Sequence, residues 1–125
     1  MKTGRKYGFP RKERLKGRDD IGEVFRGKRA VSCSGMKLLM RRNGLPHNRI
    51  AFTFSRKFGN AVERNRSRRI SREAYRFLRN EVKKGYDLVL LVYPGGDNLD
   101  QRMSQLRELF SLSALNNRNC HNGIY

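Results

Sequence analysis

Residues 56–79 read RKFGNAVERNRSRRISREAYRFLR, with nine cationic side chains against two acidic ones and eight arginines for a single lysine. Placed on a helix from Ala61 onward, at about 100° per residue, Ile70, Ala74, Phe77 and Leu78 fall within about 100° of arc. Arg64, Arg68, Arg72, Arg76 and Arg79 lie on the opposite side, with Asn65 and Arg69 at its margin. One helix can therefore pack on a sheet while offering an arginine rail to solvent. Like charges four residues apart repel by roughly a few tenths of a kcal/mol per pair, and two acids are too few to neutralise the stripe, so an anionic partner is expected. Arginine's planar fork matches phosphate oxygens, whereas a surface needed only for solubility could use lysine equally well. The residue type thus points to nucleic acid.

Working outward, residues 35–42 (GMKLLMRR) and 48–55 (NRIAFTFS) read as strands, the second with Ile50, Phe52 and Phe54 on one face. Between them Asn43-Gly44-Leu45-Pro46 contains an Asn-Gly pair, a hairpin signal. Beyond the helix, residues 86–93 (YDLVLLVY) are apolar on both faces, as an interior strand is, and Pro94-Gly95-Gly96 ends them. Strand, helix and strand then form a βαβ unit. Upstream, Asp19 and Asp20 suit a helix start and Ile21, Val24 and Phe25 share one side, although Gly22 weakens that short helix. A closing helix is expected over residues 99–115, with Leu106, Leu109, Phe110 and Ala114 inward. The resulting division is a basic arm over residues 1–17, mobile unless RNA holds it, one domain over 18–115, and a frayed tail over 116–125.

The chain has 125 residues and 14.6 kDa, enough for one modest core. Its formal charge of +18 is uneven: residues 1–79 hold 24 lysines and arginines against 6 acids, whereas residues 80–125 hold 5 against 5. Such a field accelerates encounter with polyanions and makes binding steeply salt dependent. Seven Phe and five Tyr supply core material that a disordered basic tail lacks. No segment joins a long apolar face to basic flanks as an interfacial anchor does, and the amino terminus lacks the apolar run of a signal peptide. A cytoplasmic location is expected. Cys33 and Cys120 make neither a disulfide framework nor a zinc spacing, and both thiols are expected to be free. No Ser/His/Asp or Cys/His arrangement, Gly-rich phosphate loop or carboxylate cluster for two metal ions stands out. Glu63 and Glu73, inside the helix, suit its dipole and arginine pairing. Catalysis, if the protein serves any, is expected to come from a partner.

Residues 55–76, SRKFGNAVERNRSRRISREAYR, with Arg64-Asn65-Arg66 at their heart, resemble the signature of the bacterial ribonuclease P protein component. Arg14-Leu15, Val24-Phe25 and Gly85-Tyr86-Asp87-Leu88-Val89 stand around it in that family's order, and the similarity extends over residues 9–93. The resemblance implies an α/β (α+β) two-layer sandwich with a four-stranded sheet, in the order α-β-β-β-α-β-α, and a left-handed βαβ crossover. It implies a protein subunit that joins a catalytic RNA to remove the 5′ leader of precursor tRNA, with Mg2+ held mainly by the RNA, and with neither a membrane nor a protein partner required. Carried over, Arg56, Lys57, Asn60, Arg64, Asn65, Arg66, Arg68, Arg69, Arg72 and Arg76 would face the catalytic RNA. A cleft between the first helix and the sheet, walled by Ile21, Phe25, Met36, Leu39 and Phe52 with Arg14 and Arg41 nearby, would hold the single-stranded leader. Ile21 and Leu39 stand where many relatives place aromatic rings, which implies leader contact less dependent on stacking. A ribosomal or assembly protein that binds structured RNA without a catalytic role is the alternative that shares the basic helix.

Overall fold

The computed structural model describes residues 10–27, 29–95 and 98–115. Helix α1 (Arg18–Arg26) precedes strands β1 (Ala30–Cys33), β2 (Met36–Arg42) and β3 (Arg49–Phe54). Helix α2 (Ala61–Leu78), strand β4 (Tyr86–Val92) and helix α3 (Leu99–Leu112) follow, with 3-10 turns at Arg11–Glu13 and Arg79–Glu81. The sheet order is β1-β2-β4-β3. β4 is antiparallel to β2 and parallel to β3, so β3, α2 and β4 form the βαβ unit read from the sequence. The sheet and the α2/α3 pair are the two main layers, and short α1 crosses the back of the sheet.

The interior place of β4 follows from its composition, since every residue from Tyr86 to Leu90 is buried. That place overturns the Asn-Gly hairpin. β4 lies between β2 and β3, whose separation of two strand spacings, about 9.5 Å, exceeds what a tight two-residue turn bridges. Asn43 and Gly44 instead begin a longer crossing, in which Asn43 Oδ1 accepts from Leu45 N at 2.7 Å. The hairpin proper joins β1 to β2 through Ser34-Gly35, with Cys33 opposite Met36. β1, only AVSC, is too short to show a period.

Two apolar clusters hold the layers. On the α2/α3 face, Met36, Leu38 and Met40 of β2, with Ile50, Leu88 and Leu90, meet Ala74, Tyr75 and Leu78 of α2 and Leu106, Leu109 and Phe110 of α3. On the other face, Val24 of α1 and Leu15 close over Leu39 and Val89, flanked by Ile21 and Ala51. Burial of a full aliphatic side chain is worth about 1.5–3 kcal/mol, so these residues fix which side of each element faces inward.

Two details of the helices differ from the periodicity reading. The buried stripe of α2 is Ser67, Ser71, Ala74, Tyr75 and Leu78, while Phe77 is 50% exposed. The cause is Arg102 of α3, only 2% exposed, which donates from Nη1 to Ser71 Oγ at 2.6 Å and Ser67 Oγ at 3.3 Å. The small serines admit this long side chain, and the helix turns them inward to satisfy it. In α3, Ala114 is exposed with φ +63 after the helix has ended, and Leu115 is the buried residue there.

Residues 10–15 belong with the domain and not with a basic arm ending at 17. Leu15 is buried and its N–H donates to Ile50 O at 2.9 Å, with Arg14 bridged to Ile50 in parallel. The rest of the expected arm, residues 1–9, and the expected tail, residues 116–125, lie outside the described residues.

Candidate nucleic-acid interface

The approach to α2 is built by reciprocal capping. Asn60 Oδ1 accepts from Glu63 N at 2.9 Å and Glu63 Oε1 accepts from Asn60 N at 3.0 Å. Glu63 therefore serves the helix start instead of an arginine. Gly59 is needed there: its φ is +146, and a Cβ would collide with the Glu63 carboxylate. Arg64 locks the same turn from the other side. Its Nε donates to Gly59 O at 3.1 Å, and its Nη2 donates to Ser55 O at 3.3 Å and Arg56 O at 3.1 Å. The turn that carries Arg56 and Lys57, both exposed, is thus fixed by backbone bonds from one guanidinium.

Along α2 the arginines divide into two groups. Toward the C-terminus, Arg76 pairs with Glu73 at 2.6 Å and lies over the Phe77 ring, and Arg79 pairs with Glu13 at 2.7 Å. These charges are compensated within the fold. Toward the N-terminus, Arg66, Arg69 and Arg72 are exposed and have no carboxylate partner among the described residues. Arg68 is oriented without being neutralised, since its Nη1 donates to Asn65 Oδ1 at 2.9 Å and its guanidinium lies 5.1 Å from the Phe54 ring centre. Positive charge therefore collects on the first three turns and the turn before them.

Beside this half of α2 runs a groove of about 270 Å3 along the outer edge of β3, lined by Ile50, Ala51, Phe52 and Thr53. Ile21 and Leu15 extend the apolar wall, and Arg14, Lys16, Arg68 and Arg72 are cationic. Partial burial, and then the charges of Arg14 and Arg68, lower the Arg72 pKa from its ordinary value. Phe52 stands edge-on to Tyr75 at 6.5 Å between ring centres, which holds its ring at the wall. An apolar floor with convergent cations suits a flexible strand that offers bases to one side and phosphates to the other.

The residues expected for a leader cleft separate accordingly. Arg14, Ile21 and Phe52 line the groove. Leu39 is 6% exposed beneath α1, and Arg41 is exposed 3.8 Å from Glu23. Phe25, 42% exposed on α1, is no core residue. Met36 is displaced altogether: it is fully buried in the α2/α3 cluster, on the face opposite Leu39. Residues three apart in a strand point to opposite faces, so spacing alone separates the two. The open part of the α1 side is instead the row Lys37, Leu91 and Thr53, half-buried and aligned by register, which was missed although Lys37 stands two residues from Leu39. Lys16 was missed too, because it sits in a segment without a period.

Comparison with known proteins decides the family. A family model described as Ribonuclease P matches residues 9–113. The chain belongs to the ribonuclease P protein family. The ribonuclease P protein component of Dictyoglomus thermophilum is 30% identical over 103 residues, which cover 82% of this chain and 86% of that one. That of Natranaerobius thermophilus is 36% identical over 99 residues, covering 79% and 85%. Among solved structures, the ribonuclease P protein of Thermotoga maritima superposes with TM-score 0.69 at 27% identity, covering 78% of this chain and 94% of that one. The Staphylococcus aureus protein, at TM-score 0.75 and 20% identity over 84% and 98% of the two chains, has the same fold.

As a ribonuclease P protein the chain belongs to a tRNA-processing ribonuclease. Among the described residues no group of three or more His, Cys, Asp or Glu side chains is placed to hold an ion. Asp87, 1% exposed, is engaged by Arg49 through a two-pronged ion pair at 2.8 and 2.7 Å and by Asn43 Nδ2 at 2.9 Å, a structural use of the acid at the start of β4. No helix among the described residues is long and apolar enough to cross a membrane.

Proposed function

We propose that this chain is the RNA-binding subunit of a ribonuclease P holoenzyme, in which it docks on a catalytic RNA and holds the 5′ leader of precursor tRNA while the RNA carries out the cleavage. The observation that carries this reading is the meeting of two features at Arg68 and Arg72: an uncompensated cationic helix face and an apolar, cation-rimmed groove share these residues. Arg56, Lys57, Arg66 and Arg69 are the groups assigned to the phosphates of the catalytic RNA. Arg14, Lys16 and Arg72 are assigned to leader phosphates, with Ile21 and Phe52 against its bases and Phe25 at the rim of α1. Asn60 and Arg64 act one step back, by fixing the turn from which Arg56 and Lys57 project.

Cations between two polyanions reduce the repulsion between catalytic RNA and substrate, and their effect falls as salt rises. Mg2+, held by the RNA in this reading, supplies the charge stabilisation for phosphodiester hydrolysis. The test is cleavage of precursor tRNA at low magnesium and moderate salt by the catalytic RNA alone, the protein alone and the two together. Efficient 5′ cleavage only by the mixture supports the subunit role. Equal cleavage with and without protein refutes it, and cleavage by the protein alone refutes the assignment of chemistry to the RNA.

A further inference from the structure

At the far end of the sheet, where β2 stops and β4 begins, Arg42, Gly44, Leu45, Lys83, Lys84, Gly85 and Tyr86 enclose a cleft of about 400 Å3. Helix α2, about 27 Å long at 1.5 Å per residue, separates this end from the Arg64 turn. The guanidinium groups of Arg29 and Arg42 both lie on the Tyr86 ring, at 5.8 and 5.7 Å from its centre. Neither these arginines nor Lys83 and Lys84 have a carboxylate partner among the described residues. Glu81, two residues before Lys83, makes no ion pair with these groups among the described residues, and Asp87 is held by Arg49. Four cations are thus concentrated without compensation, two of them oriented by one aromatic face.

The backbone around them is held as well. Asn48, 4% exposed, donates from Nδ2 to Lys83 O at 2.8 Å and accepts from Tyr86 N at 2.8 Å. Asn43 N donates to Gly85 O at 2.9 Å, and Lys83 N to Leu115 O at 2.7 Å. Gly85, at φ +95, lets the Lys83–Lys84 loop close on Leu45, whose carbonyl would stand 3.4 Å from an added Cβ. A loop fixed in this way presents its lysines with less ordering left to do on binding than a free basic segment.

We propose that this end is a second RNA-backbone site, in which Arg29, Arg42, Lys83 and Lys84 take phosphates of an RNA segment distinct from the one on α2. The protein then holds a further stretch of RNA beyond those assigned to α2 and to the groove. Phosphate is the ligand of choice because guanidinium groups supply forked donors, the lysines supply point charge, and Leu45 is the sole large exposed aliphatic residue lining the cleft. The inference rests on the proposed subunit role only for the identity of the RNA to be used.

Lysine acylation of the intact chain, read by mass spectrometry with and without the catalytic RNA of ribonuclease P, tests it without any substitution. The expected result is several-fold protection of Lys83 and Lys84 together with Lys57. Protection of Lys57 but not of Lys83 and Lys84 overturns this inference and leaves the subunit reading intact. Absence of protection at all three lysines, with the RNA in excess, overturns both. Protection of Lys83 and Lys84 by an acidic polypeptide but not by RNA overturns the choice of partner. As a second measurement, K83Q/K84Q should lower the slope of log K against log salt by about 1.4 to 1.8, at 0.7 to 0.9 per phosphate contact, with an unchanged melting temperature. An unchanged slope overturns the inference.

Discussion

Replacing Arg64 by alanine should damage stability first and RNA binding second, whereas replacing Arg66 should do the reverse. Arg64 reaches three backbone carbonyls, at 3.1, 3.3 and 3.1 Å, and one of those bonds is partly buried. A hydrogen bond contributes about 1 kcal/mol net. The exposed carbonyls regain water when the guanidinium leaves, so the three together are worth about 1 to 2 kcal/mol and not their sum. For a domain of this size that corresponds to a fall in melting temperature of about 3 to 8 °C. Arg66 is exposed and makes no such bonds, so R66A should leave the melting temperature unchanged and reduce the salt slope of RNA binding by about 0.7 to 0.9. R64K keeps the charge but lacks the fork, and should recover the salt slope without recovering the melting temperature. Circular dichroism melts and binding to the catalytic RNA between about 50 and 200 mM salt read both quantities. Equal melting temperatures for R64A and R66A would refute the division of labour.

Further outcomes follow from other contacts. G59A, which forces a side chain into φ +146 and against the Glu63 carboxylate, should cost about 2 kcal/mol from backbone strain and a weakened cap, measured by urea unfolding. R102M leaves the Ser67 and Ser71 hydroxyls without that donor and should destabilise by about 2 to 3 kcal/mol, while R102M/S67A/S71A should recover most of the loss; a triple variant no better than the single would contradict this account. Burial raises the Tyr75 pKa, so the folded state keeps its phenolic proton where the unfolded chain gives it up. That contribution is complete below about pH 10 and lost as pH rises further. Urea unfolding at about pH 9 and 11 should show a smaller alkaline loss in Y75F than in the parent. F25L should spare the melting temperature, since Phe25 is 42% exposed, and lower the preference for precursor over mature tRNA; a drop in melting temperature of several degrees would return Phe25 to the core.

The elements were largely legible because their signals were local. The 3.6-residue period and flanking turn place α2, and the two-sided apolar run places β4 at the centre. What the sequence concealed depended on partners distant in the chain. The face that α2 buries is set by Arg102, about 30 residues on, and no helical wheel of α2 contains it. Likewise the Asn43-Gly44 pair carries a true turn signal, but a strand more than 40 residues later occupies the place its hairpin partner would need. At the candidate site the cations were readable and their compensation was not. Arg76 and Arg79 look equivalent to Arg68 and Arg72 until Glu73 and Glu13 are placed beside them. Met36 was different, because alternation within β2 was already sufficient to remove it from the cleft.

β3 is an edge strand, and among the described residues no other strand covers its outer side beyond the short bridge at Ile50. A bare strand edge invites a second copy of the same chain to add to the sheet. Here an incoming copy would bring its own Arg14, Lys16, Arg68 and Arg72 toward the same four cations, and their repulsion opposes such pairing. Resistance to edge pairing and the proposed recognition of RNA therefore fall to the same side chains. Variants stripped of these charges to curb promiscuous polyanion binding should self-associate, and short anions that neutralise the groove without filling it should bring the wild-type protein toward the same fate.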